Sequence, residues 1–76
     1  MSALVEQVRA VRRLPSPSMR RAIRLSAGVS MRQIGDHVGV SRAAVGHWEA
    51  GRWTPSPEHA ARYADLLDEL RDAVAA

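Results

Sequence analysis

Ser41, Arg42, Ala43 and His47 fall in one short stretch, "SRAAVGH", and the chemistry open to them is hydrogen bonding rather than bond making. A guanidinium donates through a planar fork that fits two acceptors at once. An imidazole offers a donor and an acceptor, and a hydroxyl offers both. Nothing nearby would turn these groups into a catalyst. The chain has no Cys, its acidic residues gather near the end, and no Ser–His–Asp spacing emerges. A chain this short also has little volume for a closed pocket, so no enzymatic activity and no small-molecule ligand is expected. His37, His47 and His59 lie in separate segments without a local ligand pair, so no metal or other cofactor is expected.

The elements that must position these residues are helices. "VGVSRAAVGHWEAG" reads as a helix capped by Ser41 and stopped at Gly51, yet Ala43, Ala44 and Gly46 leave its outside almost bare. A surface helix ordinarily carries Glu, Lys or Gln there. Small residues instead let a large polar surface come close. Four further helices are predicted. The first covers about 3–13, with Leu4, Val8 and Val11 on one stripe. The second opens at Ser16 and Pro17 and runs to about Ala27. The third is capped by Ser30 in a capping box with Gln33 and ends at Val38. The last opens at Ser56 and Pro57 and carries Ala60, Tyr63, Ala64, Leu67, Leu70 and Val74 on a long apolar stripe.

Only Gly39 and Val40 separate the third helix from the Ser41 cap. Two short helices on so tight a turn must cross steeply, as in a helix-turn-helix. That geometry needs a small residue at the crossing, where Gly35 stands, and a residue tolerant of positive φ in the turn, where Gly39 stands. It also needs apolar inner faces, which Ile34, Val38, Val40, Val45 and Trp48 supply. The expected fold is therefore all-α. It is a compact five-helix bundle forming a single domain over 1–76, with the helix-turn-helix at about 31–50. Residues 1–14 form an extra N-terminal helix ahead of a core at 16–74.

The stretch "IRLSAGVSMRQIGDHVGVSRAAVGHWEAGRWTPSPE" resembles the lambda-repressor-like, Cro/C1-type (XRE family) helix-turn-helix DNA-binding proteins, a likeness that covers about residues 19–70. "GVSRAAV" and "WEAGRWTPS" are similar to the family's turn, recognition helix and following loop. The resemblance implies a four- or five-helix lambda-repressor-like bundle that regulates transcription by binding operator DNA. It implies base contacts from Ser41, Arg42, Ala43 and His47, at the positions that enter the major groove. It places Ser30, Met31 and Arg32 over the DNA backbone, and Arg52, Trp53 and Thr54 in a loop that often touches phosphate. It also implies a structural pair of Arg24 with Glu49. The chain departs from the family at Met31, where Gln is frequent, and at Ala43, where longer polar side chains often read bases. Direct readout then falls to Arg42 and His47, with Ala43 able to meet a thymine methyl.

Each of these residues has a plainer reading. His47 is equally an ordinary solvated histidine, and Trp48 fits the core. Trp53 either covers the loop against the bundle or lies on sugar–phosphate. Arg20, Arg21, Arg12 and Arg13 each fit either a phosphate contact or a solvated face, and Arg20 and Arg21 are placed with the phosphate contacts.

All eleven basic residues are Arg, and the formal net charge is +3. The charge is divided along the chain. Residues 1–53 hold nine Arg against Glu6, Asp36 and Glu49; residues 54–76 hold Arg62 and Arg71 against five carboxylates. A basic front and an acidic back suit a polyanion at one surface. The expected partner is double-stranded DNA. One such module buries only about 600–1,000 Å², so the expectation is a homodimer, or a monomer that dimerises only on DNA, through the fifth helix or the exposed edge of the first, with Leu66 able to contribute. No apolar run approaches the roughly 20 residues of a membrane span, and a cytoplasmic place is expected. A competing reading is an antitoxin-like or other protein-interaction module on the same scaffold.

Overall fold

The computed structural model describes residues 2–75. Within them lie α1 (Ala3–Arg12), α2 (Pro17–Ser26), α3 (Met31–Val38), α4 (Arg42–Glu49) and α5 (Pro57–Ala75), with no strand among the described residues. Serine opens each helix. Ser2, Ser16, Ser30 and Ser41 are N-caps whose hydroxyls accept from the N–H groups of Val5, Met19, Gln33 and Ala44. The Ser56 hydroxyl accepts from the His59 N–H at 3.4 Å ahead of α5. Each cap meets a donor that the helix cannot satisfy internally. Ser30 and Gln33 complete the predicted capping box, the Gln33 side chain accepting from the Ser30 N–H at 2.8 Å.

The α3–α4 crossing follows from two glycines. A Cβ at Gly35 would sit 2.6 Å from the carbonyl oxygen of Val40, so any side chain there would push the helices apart. Gly39 turns the chain with φ at +94°, a left-handed conformation that favours glycine. The N–H groups of Gly39 and Val40 both donate to the Gly35 carbonyl, at 2.8 and 2.9 Å.

The core gathers Ile23, Ile34, Val38, Val45, Trp48, Tyr63 and Leu67. Of the predicted inner-face residues, Val40 is only partly buried but packs on this cluster. Two expectations shift. Ala44 packs against the core rather than lying bare, because it stands on the edge of α4 nearest Trp48. Leu66, offered as a docking residue, is likewise partly buried against the core. The α5 stripe is covered as far as Leu67, whereas Leu70 is partly buried and Val74 is 50 % exposed, both lining an open groove against Met19 and Ala22 of α2.

The first helix lies along α5, but not by its apolar stripe. Only Ala10 of α1 is buried, while Leu4 and Val8 face solvent. Arg13, just past the helix, donates from Nη2 to Asp65 Oδ1 at 2.8 Å and to Asp68 Oδ2 at 3.2 Å. These carboxylates hold the Arg13 guanidinium more firmly protonated than usual. Arg13 is thus a tie between helices rather than a phosphate contact. Exposed pairs of this kind contribute only about 0–1 kcal/mol.

Tyr63 is the largest fully buried side chain, and its hydroxyl has no hydrogen-bond partner among the described residues. Its ring lies 5.0 Å from that of Trp48. Burial, with Glu49 nearby, pushes the phenol up to about 12, partly opposed by Arg20 and Arg24. The chain has one Tyr and no Cys, and its basic side chains are all Arg, so Tyr63 is the side chain that titrates at alkaline pH. An unfolded phenol ionises near 10 while the folded one stays neutral. The associated stability is therefore intact below about pH 10 and is lost as pH rises towards about 12. Tyr63→Phe is expected to flatten this alkaline loss in denaturation curves recorded across that range. At neutral pH it should leave stability unchanged or raised, since it removes an unpaired buried hydroxyl. A clear neutral-pH loss would show that the hydroxyl is paired.

Candidate nucleic-acid interface

Helix α4 presents an outer ridge. Ser41, Arg42 and Ala43 are exposed at its start, and Gly46 and His47 follow half-buried one turn on. Ser41 holds the N–H of Ala44 at 3.1 Å, so its first task is to cap the helix. Arg42 stands in the first turn, where a positive charge opposes the helix dipole. No carboxylate pairs with it among the described residues.

The same holds for Arg21 on α2, Arg32 on α3 and Arg52 in the loop after α4, all exposed and none in an ion pair among the described residues. The arginines that do sit beside carboxylates are Arg9, Arg13 and Arg62, towards α1 and α5, and Arg24 inside. Three of the five arginines on α1, just past it and on α5 thus sit beside acids, Arg71 on α5 being exposed and outside any ion pair, while the exposed arginines around the helix-turn-helix have no carboxylate among the described residues. Arg12, on the outside of α1, is exposed and also outside any ion pair among the described residues.

Arg20, expected among the phosphate contacts, is partly buried and engaged within the fold. Its Nε donates to the Pro15 carbonyl at 2.8 Å and its Nη1 to the Trp48 carbonyl at 3.1 Å, so two of its three guanidinium nitrogens bond backbone acceptors. Partial burial lowers its proton affinity. A spacing of adjacent arginines cannot show which of the two turns inward; here Arg20 does and Arg21 does not.

Arg24 and Glu49 form a buried clamp. Nε meets Oε2 at 2.6 Å and Nη2 meets Oε1 at 2.9 Å, with side chains 10 % and 6 % exposed. The third donor, Nη1, reaches the Val29 carbonyl at 3.1 Å. The hydrogen bonds to Glu49 outweigh the burial penalty and keep the guanidinium charged. One side chain thus ties α2 to the last turn of α4 and to the residue preceding the Ser30 cap.

The remaining site residues fall into two groups. Ser30, Arg32 and Thr54 are exposed, with the Ser30 hydroxyl already accepting from Gln33. Met31 instead folds inward, packs on the core and places its Sδ 3.7 Å from where a Gly46 Cβ would lie. That inward packing accounts for an apolar residue where a polar one was expected. In the following loop, Gly51 adopts φ +73° and Pro55 is buried, and the chain doubles back on α4. The His47 carbonyl accepts from the Arg52 N–H at 3.0 Å and the Trp53 N–H at 3.4 Å. The Trp53 indole stacks on the His47 ring, centroids 4.0 Å apart and planes inclined by 27°. Sequence reasoning treated these two residues separately, because nothing in their spacing shows that the loop reverses.

A family model described as a helix-turn-helix domain matches residues 21–76. The chain belongs to the helix-turn-helix domain family. The match begins within α2 and takes in the crossing, the clamp and the loop, leaving α1 outside. No curated protein and no solved structure gives a significant match to the chain. In a helix-turn-helix domain that binds DNA, the second helix of the pair enters the major groove, and here that helix is α4. No helix among the described residues is long and apolar enough to cross a membrane. No group of three or more His, Asp or Glu side chains among them is placed to hold a metal ion.

Because the clamp is buried, removing one partner strands the other's charge. Glu49→Ala is expected to cost about 3–5 kcal/mol in chemical denaturation, and the paired replacement Arg24→Met with Glu49→Leu markedly less. A loss below about 1 kcal/mol from the single change, the size of an exposed pair, would mean that the clamp is solvated.

Proposed function

We propose that this helix-turn-helix protein is a sequence-specific double-stranded DNA-binding transcriptional regulator of the small phage or bacterial Cro/repressor type. Helix α4 lies in the major groove. What supports the reading is the outer side of α4, with Ser41, Arg42 and Ala43 exposed and Gly46 and His47 half-buried one turn on, flanked by guanidinium groups that no carboxylate occupies among the described residues. Arg42 and His47 hydrogen-bond base edges, Ser41 stands at the edge of the same contact, and Ala43 meets a thymine methyl. Ser30, Arg21, Arg32, Arg52 and Thr54 contact phosphate, which supplies affinity and register. A second copy on a half-site about 34 Å away completes the interface. The bacterial cytoplasm and its nucleoid are the place such a regulator works.

Base and phosphate contacts separate by their response to sequence and salt. Arg42→Ala should weaken binding to the preferred duplex by about 1–3 kcal/mol and random duplex far less. Equal losses on both would remove Arg42 from base reading. Arg52→Ala should weaken both alike and lower the salt slope by about one. An unchanged slope would take Arg52 off the phosphate list.

Gly46 offers an independent check. A Cβ there meets only the Met31 Sδ at 3.7 Å within 4 Å, an ordinary contact, so the fold does not require glycine. In a helix interior glycine costs about 1 kcal/mol relative to Ala. Gly46→Ala is expected to raise stability by about 0.5–1 kcal/mol while weakening binding to the preferred duplex. Stability gained with affinity unchanged would show that nothing approaches this position closely.

An antitoxin-like or other protein-interaction module is the second reading, favoured by the apolar residues left open on α1 and at the end of α5, Leu4, Val8 and Val74. Weak DNA binding by the chain alone, made tight by a protein partner, would favour it.

A further inference from the structure

The Trp53–His47 stack has a geometry suited to more than covering a loop. The indole is 52 % exposed and lies outside the core cluster, so burial in the bundle does not account for it. Its place is set by the backbone. Gly51 turns the chain, Pro55 anchors it, and the His47 carbonyl receives the N–H groups of both Arg52 and Trp53. The same residue whose carbonyl anchors the loop therefore receives the indole on its ring.

A stack grips an aromatic ring by its face and leaves the in-plane edge open. For imidazole that edge carries the donor and the acceptor. The histidine ring nitrogen hydrogen-bonded within the protein is His59 Nδ1, beside Ser56; those of His47 are not engaged among the described residues. A mobile imidazole loses rotamer freedom when it docks, whereas one already held by a neighbour has lost it on folding. Trp53 supplies that hold from outside α4, on the exposed side of the helix where no core residue could.

We infer that Trp53 is a positioning residue for base recognition: it holds the His47 ring edge-on towards the groove, so that sequence preference at the base pair under His47 depends on a residue of the loop. This rests on the DNA-binding reading above. It assigns to Trp53 an effect on specificity, whereas contact with sugar or phosphate would affect all sequences equally.

The test uses the full chain. Duplexes are selected from a random pool with the wild type, His47→Ala, Trp53→Ala, Trp53→Phe and the double alanine variant, and the His47 ring protons are followed by NMR in the free protein. The expected result is an upfield-shifted His47 ring that returns to ordinary shifts in Trp53→Ala. His47→Ala and Trp53→Ala should then lose discrimination at the same base pair by about tenfold. The double variant should lose no more than either single one, and Trp53→Phe should keep most of the preference. The inference is overturned if Trp53→Ala weakens all duplexes by one factor with preferences intact, or if the two alanine variants affect different base pairs. It is overturned too if Trp53→Phe matches Trp53→Ala. An unshifted His47 ring overturns the stack itself. A shifted ring in a wild type that enriches no duplex overturns the DNA-binding reading and this inference with it, leaving the stack standing.

Discussion

At Gly35 the backbones of α3 and the turn meet so closely that a single methyl would lie 2.6 Å from a carbonyl oxygen. Nearly everything else in the molecule depends on that contact. It sets how steeply α4 leaves α3, and hence which side of α4 is turned in and which is turned out. Val45 and Trp48 go to the core, while Arg42, Ala43 and His47 are left on the outside. The left-handed turn at Gly39 and the paired N–H groups on the Gly35 carbonyl hold the crossing in register. A packed crossing of this kind has no soft intermediate, because the penalty for overlap rises steeply and the surrounding core is already filled.

The clamp between Arg24 and Glu49 extends the same constraint outward. Its two short hydrogen bonds fix the end of α4, and the bond to the Val29 carbonyl fixes the approach to α3. Arg20 works beside it, joining the Trp48 carbonyl to that of Pro15. Two arginines of α2 thus serve the fold while Arg21 between them stays open. Of their backbone acceptors only the Trp48 carbonyl belongs to a helix end, the last turn of α4, while those of Pro15 and Val29 lie in the connections on either side of α2. What results is a division of labour among identical side chains. Arg9, Arg13 and Arg62 lie beside acids, two arginines of α2 are folded inward, and Arg21, Arg32, Arg42 and Arg52, like Arg12 on α1 and Arg71 on α5, are outside any ion pair among the described residues.

Stability and exposure are in tension on that ridge. Gly46 weakens α4 for no steric reason within the chain, and Arg42 stands where the helix dipole disfavours it. Local rules broken without a compensating contact inside the fold are a feature of functional positions rather than of structural ones. The apolar side of α1 is a different matter. Its stripe is legible as a pattern, but α1 lies on α5 through Ala10 and the Arg13 ion pairs and turns that stripe away.

The helices, their serine caps, the glycines of the turn and the inner faces of α3 and α4 could be read from the chain itself, because each depends on neighbours a few residues away. Capping needs an oxygen three residues from an N–H, and a left-handed turn needs the absence of a Cβ. The Arg24–Glu49 pair was legible through resemblance, since its partners stand 25 residues apart in the chain. Only the tertiary structure decided which arginine of a neighbouring pair turns inward, that Ala44 and Leu66 pack on the core, and that α1 shows its apolar side to solvent. Only it could lay Trp53 on His47. Those outcomes depend on where a loop doubles back and on which surface remains to be covered once the other helices are in place. Such quantities are properties of the assembled volume, and no periodicity along the chain encodes them.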